Sequence, residues 1–250
     1  MNLVEAIHPA VPARIALVGA GGKTTALFQL ACQIEGLVWV TTTTHLGADQ
    51  VSLADRHFVV QTNDEFIVDR FKQQKVSLIT GPFTQDDRAS GLPPNLLEQL
   101  YRSSANERVS VLIEADGSRS IPLKAPAADE PPIPAWVTHV IVVVGLSALR
   151  KPFTSQWVFR PDEFSRLTAI SEGEPIAAEH ISEMLIHPQG GLKNIPLQAR
   201  KIVLLNQADT GEIQSIARQM ISKLLNGGFD QVIIGSVGKA PQSLEGYPHS

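Results

Sequence analysis

A glycine-rich turn between an apolar run and an amphipathic segment constrains this chain more than any other feature. Residues 15–34 have the sequence IALVGAGGKTTALFQLACQI. The apolar run that ends at Val18 predicts a buried strand, and apolar residues at helical spacing after Thr25 predict a helix. Glycines let the backbone approach a ligand closely, and the first turn of a helix presents free N–H groups to anions. The stretch therefore predicts a loop that binds nucleotide phosphates.

The loop also has the side chains that phosphate binding needs. Lys23 brings a positive charge, and Thr24 has a hydroxyl of the kind that holds Mg²⁺ beside a bound phosphate. Two common patterns fail by spacing, because Thr24 stands where G-x-G-x-x-G needs Gly or Ala, and Leu17 stands where G-x-x-x-x-G-K-[ST] needs Gly. The shorter G-x-x-G-K-T-T fits, and it resembles the loop of the ATP-binding Mur-type peptide ligases and folylpolyglutamate synthases. The predicted phosphate-binding residues are Gly19, Ala20, Gly21, Gly22, Lys23, Thr24 and Thr25.

Length and composition favour one cytoplasmic α/β domain spanning residues 1–250. The chain has 250 residues, of which 43% are hydrophobic and 18% charged. This suits a single large core. No apolar run reaches the roughly 18 residues that a membrane helix needs, and the first residues lack the order of a signal peptide. We therefore expect no membrane partner.

Cysteine content and charge argue against several classes of function. Cys32 is the only cysteine, so a disulfide within the chain and a thiolate metal cluster are both excluded. We expect Cys32 to be a small core residue on the apolar side of the first helix. The net charge is −4, and without a long basic block nucleic acid is not expected as a partner.

Two acids at the end of a later strand predict a magnesium site. The apolar residues 109–113 predict a buried strand that runs into Glu114 and Asp116. Carboxylates in this position hold Mg²⁺ directly or through water in phosphate-binding sites. Because strand side chains alternate, both carboxylates should share a face. We predict that one of them binds the metal together with Thr24; ordinary strand-end acids are the alternative.

Basic residues that follow this strand complete the predicted site. Arg119 comes shortly after Asp116, and Arg150 follows the next predicted strand. Either guanidinium could stabilise the charge that develops during phosphate chemistry, although a solvated surface would explain Arg150 equally well. The predicted catalytic residues are Lys23, Asp116 and Arg119.

A run of hydroxyl side chains predicts contacts to a second substrate. Residues 37–40 read as a buried strand and are followed by four threonines and a histidine. Ligands gather at the carboxyl ends of strands in open α/β sheets, whereas threonine is also an ordinary strand residue. With nearby basic residues, the predicted substrate contacts are Thr42, Thr43, Thr44, His45, Lys124, Arg150 and Arg160.

Two segments look least like parts of the sheet. Residues 122–134 contain five prolines, which predicts a loop without regular structure. Residues 150–200 predict short helices and loops, and we expect them to form a small cap over the site.

Residues 206–209 form a candidate base-binding motif. Asn206-Gln207-Ala208-Asp209 follows an apolar strand and resembles the N-K-x-D motif of GTP-binding proteins, with Gln207 in place of Lys. An acceptor-only carboxylate suits the two donors on the guanine edge. A simple turn is the alternative, because Asn and Asp are frequent turn residues. Residues 236–239 lie where GTP-binding proteins carry a second base-contacting loop.

The motifs together resemble the YqeC family of accessory proteins for selenium-dependent molybdenum hydroxylases. The resemblance rests on GAGGKTT, VTTTTHL, EADGS, FRPDEF, HPQGGLKN and LLNQAD in this order. It implies a role in maturing the selenium-bearing molybdenum site. A molybdenum hydroxylase, or its cofactor precursor, would then be the partner.

The sequence thus predicts an α/β fold with a mainly parallel sheet, helices on both faces and the phosphate loop after the first strand. The expected ligands are ATP or GTP with Mg²⁺. Three functions remain open: an NTP-hydrolysing or group-activating enzyme, a nucleotide-gated chaperone, and a Mur-like ligase or kinase of a small molecule.

Overall fold

A nine-stranded sheet forms the centre of the computed structural model, which describes residues 1–249. A further four short strands form two small two-stranded sheets. In chain order the strands are β1 (Arg14–Gly19), β2 (Val38–Thr42), β3 (His45–Gly47), β4 (Arg56–Val59), β5 (Val76–Thr80), β6 (Arg88–Ser90), β7 (Ser110–Glu114), β8 (Leu123–Lys124), β9 (His139–Gly145), β10 (Val158–Phe159), β11 (Arg200–Asn206), β12 (Gln231–Ile234) and β13 (Glu245–Pro248).

Helices cover both faces of the sheet, so the predicted α/β fold class is confirmed. No helix within residues 1–249 is long and apolar enough to cross a membrane. The helices are α1 (Leu3–Ile7), α2 (Lys23–Gln33), α3 (Ala48–Val51), α4 (Val68–Phe71), α5 (Pro94–Glu107), α6 (Pro161–Thr168), α7 (Ala178–Ile186) and α8 (Gly211–Asn226), with 3₁₀ turns at Asn63–Glu65 and Leu146–Ala148.

The order of strands in the large sheet is β13-β12-β11-β9-β1-β7-β2-β5-β4. Every neighbouring pair is parallel except β12 and β13. The chain passes from β1 to β2, then to β4 at the edge and back to β5 and β7 on one side, and only after β7 reaches β9 and β11 on the other side. Ligands bind beyond the carboxyl ends of the strands where such a sheet reverses its winding. This places the expected site at the ends of β1, β7 and β9.

Alternating side chains build a separate core on each face. In β1, Ile15 and Leu17 pack with α1 and α2, whereas Ala16 and Val18 pack on the side of α5 to α8. Strands buried on both faces need continuous apolar runs, which is what the sequence has. Complete burial of each large aliphatic side chain contributes about 1.5–3 kcal/mol. The central strands therefore hold the phosphate loop on a rigid base.

Residues 150–200 pack against one face of the sheet. Phe153, Phe164, Ile181 and Leu185 are buried in the same core as the apolar residues of β9 and β11. None of the residues 150–200 lines the cleft at the carboxyl ends of the strands.

The expectation that residues 122–134 lack regular structure is wrong at β8. Leu123 and Lys124 pair in parallel with β10. The ladder uses the amides of Leu123 and Ala125, so Pro122 and Pro126 stand just outside it and cost no hydrogen bond. The pairing fixes the position of Lys124.

Two other local expectations are also wrong. Cys32 is exposed, because the buried stripe of α2 runs through Leu27, Leu30 and Ala31. The sequence also predicts a helix over residues 64–71, with Asp64 as its N-cap. This segment instead forms a 3₁₀ turn and α4, since Phe66 takes a non-helical conformation with φ −80° and ψ 78°. Phe66 is buried there beside Phe71, so packing overrides local propensity.

Candidate functional site

The phosphate loop depends on three glycines with left-handed backbones. Gly19, Gly21 and Gly22 have φ of +94°, +80° and +112°. A Cβ at Gly21 would lie 2.3 Å from the backbone nitrogen of Gly145, and one at Gly19 would lie 2.3 Å from the carbonyl oxygen of Val143. The loop can therefore lie against β9 only if these residues are glycine.

Helix α2 begins at Lys23, directly after the loop. The first turn of a helix has N–H groups without partners in the helix and a partial positive charge. These groups, together with Gly21 and Gly22, make an anion-binding cradle of the kind that nucleotide phosphates occupy. The backbone of the loop thus fits the ligand that the sequence predicts.

The ammonium group of Lys23 lies inside the site. The residue is only 3% exposed, and Nζ donates to the Gly19 carbonyl oxygen at 2.8 Å and to Ser118 Oγ at 3.2 Å. Nζ also lies 3.7 Å from Glu114 Oε1 and 3.3 Å from Asp116 Oδ1. A buried ammonium needs such compensation. A phosphate would supply the same negative charge from the other side of the loop.

Thr24 and Glu114 form a pair of oxygen donors. Thr24 Oγ1 donates to Glu114 Oε2 at 2.8 Å and accepts from Gln50 Nε2 at 3.2 Å. Burial raises the pKa of the Glu114 carboxyl, although Lys23 and the Thr24 hydroxyl oppose the shift. A hydroxyl and one carboxylate suit Mg²⁺, which is usually held by few protein groups together with phosphate oxygens and water. Within residues 1–249, no group of three or more His, Cys, Asp or Glu is placed to hold a metal ion.

Asp116 lies behind the loop. Its two carboxylate oxygens accept from the Gly19 amide at 3.1 and 2.9 Å, and Oδ2 also accepts from Lys124 Nζ at 2.8 Å. The strand ends at Glu114, so strict alternation does not extend to Asp116. Both acids contact Lys23, but Glu114 lines the large cleft and Asp116 lines a separate small cavity of about 20 Å³. Glu114 is therefore the acid that a metal in the cleft would meet.

The cleft itself has a volume of about 830 Å³, within the range of small-molecule sites. One wall is the phosphate loop with the start of α2. The opposite wall comes from β3, α3 and the loop before β6, and residues 117–120 and Gln207 close two further sides. Cations and acids share this lining. They are Lys23, Arg88 and Arg119 against Asp49, Asp86, Asp87 and Glu114.

Arg119 and His45 both lie at the rim of this cleft. Arg119 is exposed with φ +49°, and its guanidinium carbon lies 5.3 Å from the centre of the Phe159 ring. This cation–π contact leaves the N–H donors of the guanidinium available. Arg119 therefore lines the cleft together with Lys23, and its contact with a ligand stays a prediction.

The threonines after β2 brace the backbone of the site. Thr42 Oγ1 donates to the Glu114 carbonyl oxygen at 2.9 Å and accepts from the Thr44 amide at 3.0 Å. Thr43 Oγ1 is buried and finds no partner within residues 1–249. The Thr43 amide also donates to the Glu114 carbonyl oxygen at 3.0 Å, so Thr42 and Thr43 together hold the end of β7 in place, and Thr44 contacts Thr42. Their contact with a substrate stays a prediction.

The three other predicted basic residues lie in ion pairs. Lys124 is 4% exposed, and its ammonium lies 2.8 Å from Asp116 and 2.6 Å from Glu130. Arg160 donates to both oxygens of Glu130 at 2.6 and 2.8 Å. Burial would raise the pKa of Glu130, but hydrogen bonds from Arg160 and Lys124 outweigh it and lower the pKa to about 2. Arg150 lies away from the cleft and pairs with Glu212, its side chain 66% exposed.

Asn206 connects the candidate base-binding motif to the phosphate loop. Its Nδ2 donates to the Gly21 carbonyl oxygen at 2.7 Å, and its Oδ1 accepts from the Val237 amide at 3.0 Å. Asp209 accepts from Ser236 Oγ at 2.6 Å and from the ammonium of Lys239. These two hydrogen bonds lower the pKa of Asp209. Residues 206–209 and 236–239 therefore form one unit beside the loop.

The sequence gives little sign of the wall opposite the loop. This wall is built by β3, α3 and β6. Gln50 of α3 contacts Thr24, and Arg88 of β6 donates to the carbonyl oxygen of His45 in β3 at 3.0 Å. These elements have three or four residues each, too few for a hydrophobic period. Only the fold brings them to the site.

Comparison with known proteins gives a consistent assignment. A family model described as YqeC protein matches residues 15–162, more than half of the chain. This chain belongs to the YqeC family. The matched YqeC region contains the phosphate loop, both acids and Lys124, and ends before Asn206.

The full chain also resembles a curated YqeC relative. That protein is named Uncharacterized protein YqeC, from Escherichia coli (strain K12), and is 30% identical over 241 residues. The alignment covers 92% of this chain and 90% of the relative. No solved structure matches this YqeC chain.

Proposed function

We propose that the protein is a cytoplasmic, Mg²⁺-dependent enzyme that hydrolyses a nucleoside triphosphate or uses it to activate a group. One observation carries this proposal: Lys23, Thr24 and Glu114 converge at a glycine loop that opens a helix. Phosphoryl transfer needs positioning and charge compensation more than covalent chemistry. These residues supply both requirements in one cleft.

Each residue has a defined task in this proposal. The ammonium of Lys23 would exchange its contact with Glu114 for phosphate oxygens, a charge-assisted contact of similar kind. Thr24 and Glu114 would hold Mg²⁺, which neutralises charge on the phosphates. Arg119 at the rim would stabilise charge that develops on the transferred group. Asp116 would keep the Gly19 amide and Lys23 oriented.

The proposed cellular role is maturation of selenium-dependent molybdenum hydroxylases. Its support is the YqeC resemblance in the order of motifs, from GAGGKTT to LLNQAD. A hydroxylase or its cofactor precursor would be the partner. The lobe of the cleft formed by β3, α3 and the loop before β6 would take the precursor or another small substrate, which also accommodates a Mur-like ligase or kinase.

A nucleotide-gated chaperone is the second candidate, favoured by a chain of charged contacts. The chain starts at the Gly19 amide and passes through Asp116, Lys124 and Glu130 to Arg160, directly before α6. Nucleotide binding at the loop could therefore reach a helix-bearing surface. If the protein is an enzyme, its small substrate should raise the rate of nucleotide turnover. If it is a nucleotide gate, the partner protein should change that rate instead.

The test is titration calorimetry of ATP and GTP, each with Mg²⁺, into wild-type protein and Lys23→Ala. Loss of a buried phosphate contact should weaken binding about 100-fold or more. Lys201→Ala, near the amino end of β11 and far from the loop, is the matched control and should bind normally. Unchanged affinity in folded Lys23→Ala would refute the proposal.

A further inference from the structure

Residues 206–209 and 236–239 present a defined set of hydrogen-bond donors and acceptors next to the phosphate loop. Asn206 ends β11, which lies two strands from β1 in the sheet, and two strand spacings are roughly 9.5 Å. The side-chain amide of Asn206 packs against the phosphate loop, and a Cβ added at Gly22 would lie only 2.5 Å from Asn206 Nδ2. The residues after Asn206 therefore begin beside the phosphates and lead away from them. A ribose and its base have to follow the same path.

Asp209 is not explained by local structure alone. In a simple turn it would cap the next helix, but Thr210 is the N-cap of α8 and accepts from the Ile213 amide at 3.3 Å. Asp209 instead accepts from Ser236 and from Lys239, whose side chain is 73% exposed. An exposed ammonium can leave at little cost. One carboxylate oxygen then becomes open to a ligand while Ser236 holds the other.

A backbone donor accompanies this acceptor. The Gly238 amide has no hydrogen-bond partner among residues 1–249, whereas Val237 donates to Asn206 and Lys239 donates to the Ser236 carbonyl oxygen. Gly238 lies in the chain between Ser236 and Lys239, which both contact Asp209. The unit thus offers a carboxylate, which only accepts, and a backbone N–H, which only donates. Guanine has N–H donors at N1 and N2 next to an acceptor at O6. Adenine offers an acceptor at N1 and a donor at N6, which reverses the pattern.

We propose that this site selects guanine over adenine nucleotides, with Asp209 and the Gly238 amide as the groups that contact the base edge. The proposal rests on the proposed function, because it requires a nucleotide in the phosphate loop. Gln207 lines the cleft at this end with φ +60°, and this backbone turn carries the chain from the loop-contacting Asn206 to Asp209. Without nucleotide, the Asp209 carboxylate is paired with Lys239. With nucleotide bound, the donors of the guanine edge would replace Lys239, so the carboxylate keeps a partner in both states.

The first test uses wild-type protein with GTP, ITP and ATP, each with Mg²⁺, in titration calorimetry. ITP lacks the 2-amino group of GTP and should bind about 10-fold more weakly, since one charge-assisted hydrogen bond is lost. ATP should bind at least about 30-fold more weakly than GTP, because its base edge reverses the donor and acceptor pattern that Asp209 and the Gly238 amide match. Equal affinity for ATP and GTP would overturn the inference and leave the proposed function standing. Absence of binding by all three nucleotides would overturn both.

The second test exchanges the acceptor. Asp209→Asn should weaken GTP about 100-fold and strengthen XTP, because xanthine has a carbonyl oxygen where guanine has its 2-amino group, and an amide can donate to it. Glu212→Gln, an equally conservative change three positions away on α8, is the control and should keep the GTP preference. An equal loss of GTP, ATP and XTP in Asp209→Asn would show that Asp209 only supports the loop, and would overturn the inference.

Discussion

At the scale of single residues, we expect Glu114 to determine how strongly nucleotide binding depends on Mg²⁺. Glu114→Gln keeps the shape of the side chain and removes the charge that Mg²⁺ needs. We expect it to weaken binding of the Mg²⁺–nucleotide pair about 10- to 100-fold, while binding of the metal-free nucleotide stays equal or tightens. Calorimetry with Mg²⁺ and with a chelator separates the two. Glu172→Gln, exposed and distant from the site, is the control, and an identical loss in both titrations would contradict the assignment.

The same carboxyl predicts a pH dependence. Its pKa is raised above the ordinary value of a glutamate, mainly because of burial. The metal needs the ionised form, so Mg²⁺-dependent affinity should fall as the pH decreases towards this raised pKa, earlier than for an exposed glutamate. Affinities measured at about pH 7.5 and at about pH 5 check this. A flat profile that Glu114→Gln does not change would contradict it.

Gly21 should tolerate no side chain. Gly21→Ala places an alanine in the left-handed region and makes its Cβ clash with Gly145. Gly36→Ala is the control, because Gly36 has the same φ of +80° but no atom lies within 4 Å of an added Cβ. We expect Gly36→Ala to cost about 1 kcal/mol of unfolding free energy and Gly21→Ala on the order of 2–4 kcal/mol, or to displace the loop. Urea unfolding and nucleotide titration measure the difference. Equal costs would mean that the loop does not depend on close packing against β9.

These residues also show what sequence can predict. The loop from Gly19 to Thr25 is local, and its spacing alone identifies it. Glu114 and Asp116 were both predicted metal ligands, but their different surroundings depend on where β7 ends. Gln50 could not be predicted, because the contact with Thr24 depends on the path of a chain segment with too few residues for a periodic pattern.

At the scale of elements, one ion-pair chain joins β8 to the start of α6. Glu130→Gln removes a carboxylate that Lys124 and Arg160 share. Breaking a buried pair leaves an uncompensated charge, and because Arg160 is partly exposed we expect a loss of about 2–3 kcal/mol at neutral pH. Urea unfolding measures it. Glu163→Gln, which breaks the surface pair with Arg166 on α6, should cost less than about 0.5 kcal/mol.

The acid behaviour of this element follows from the same carboxyl. Hydrogen bonds from Arg160 and Lys124 lower the pKa of Glu130 from its ordinary 4.5 to about 2 in the folded chain. Its stabilisation is therefore present above pH 4.5 and lost as the pH falls towards about 2. Wild-type protein should lose stability over this interval more steeply than Glu130→Gln in parallel unfolding curves. Parallel slopes would show that the ion pairs do not form in solution.

Local patterns predicted the long elements and missed the short ones. The strands β1, β7, β9 and β11 and the helix α8 have long apolar runs or periods. By contrast, β8 and β10 have two residues each, and neither is stable without the other. Their pairing places Lys124 in the ion-pair chain, so its position could not be predicted from sequence.

At the scale of the whole molecule, hydrogen exchange should map both the fold and the ligand. Amides of the central β1, β9 and β11 should exchange most slowly, and those of the edge strands β4 and β13 fastest. Mg²⁺ with GTP or ATP should protect the loop, β3 to α3 and residues 117–120, which share the cleft. Lys23→Ala with the same nucleotide is the control. Protection confined to other regions would contradict the site.

The same measurement separates the two leading functions. A nucleotide gate requires a change beyond the cleft, so α6 and α7 should change their exchange rates when nucleotide binds. An enzyme without a gate should confine protection to the cleft. Glu130→Gln should abolish any distant effect that travels through the ion-pair chain while leaving the cleft response.

Fold class was accessible from the sequence because both faces of the sheet demand apolar strands. Strand order was not, since the apolar runs of β2, β7 and β9 look alike, and only packing decides which of them flanks β1. The placement of residues 150–200 against one face likewise depends on Phe153 and Phe164, whose partners are distant in sequence.

The internal pairing of Lys23 has a thermodynamic consequence for the order of ligand uptake. A nucleotide that takes the ammonium leaves Glu114 with uncompensated negative charge, and a cation at Glu114 draws the nucleotide in. Metal and nucleotide should therefore bind with positive cooperativity, each raising the affinity of the other by the same factor. If the proposed function holds, a cell low in free magnesium would leave more of this protein without nucleotide even when nucleotide is abundant, and occupancy of the loop would depend on both concentrations.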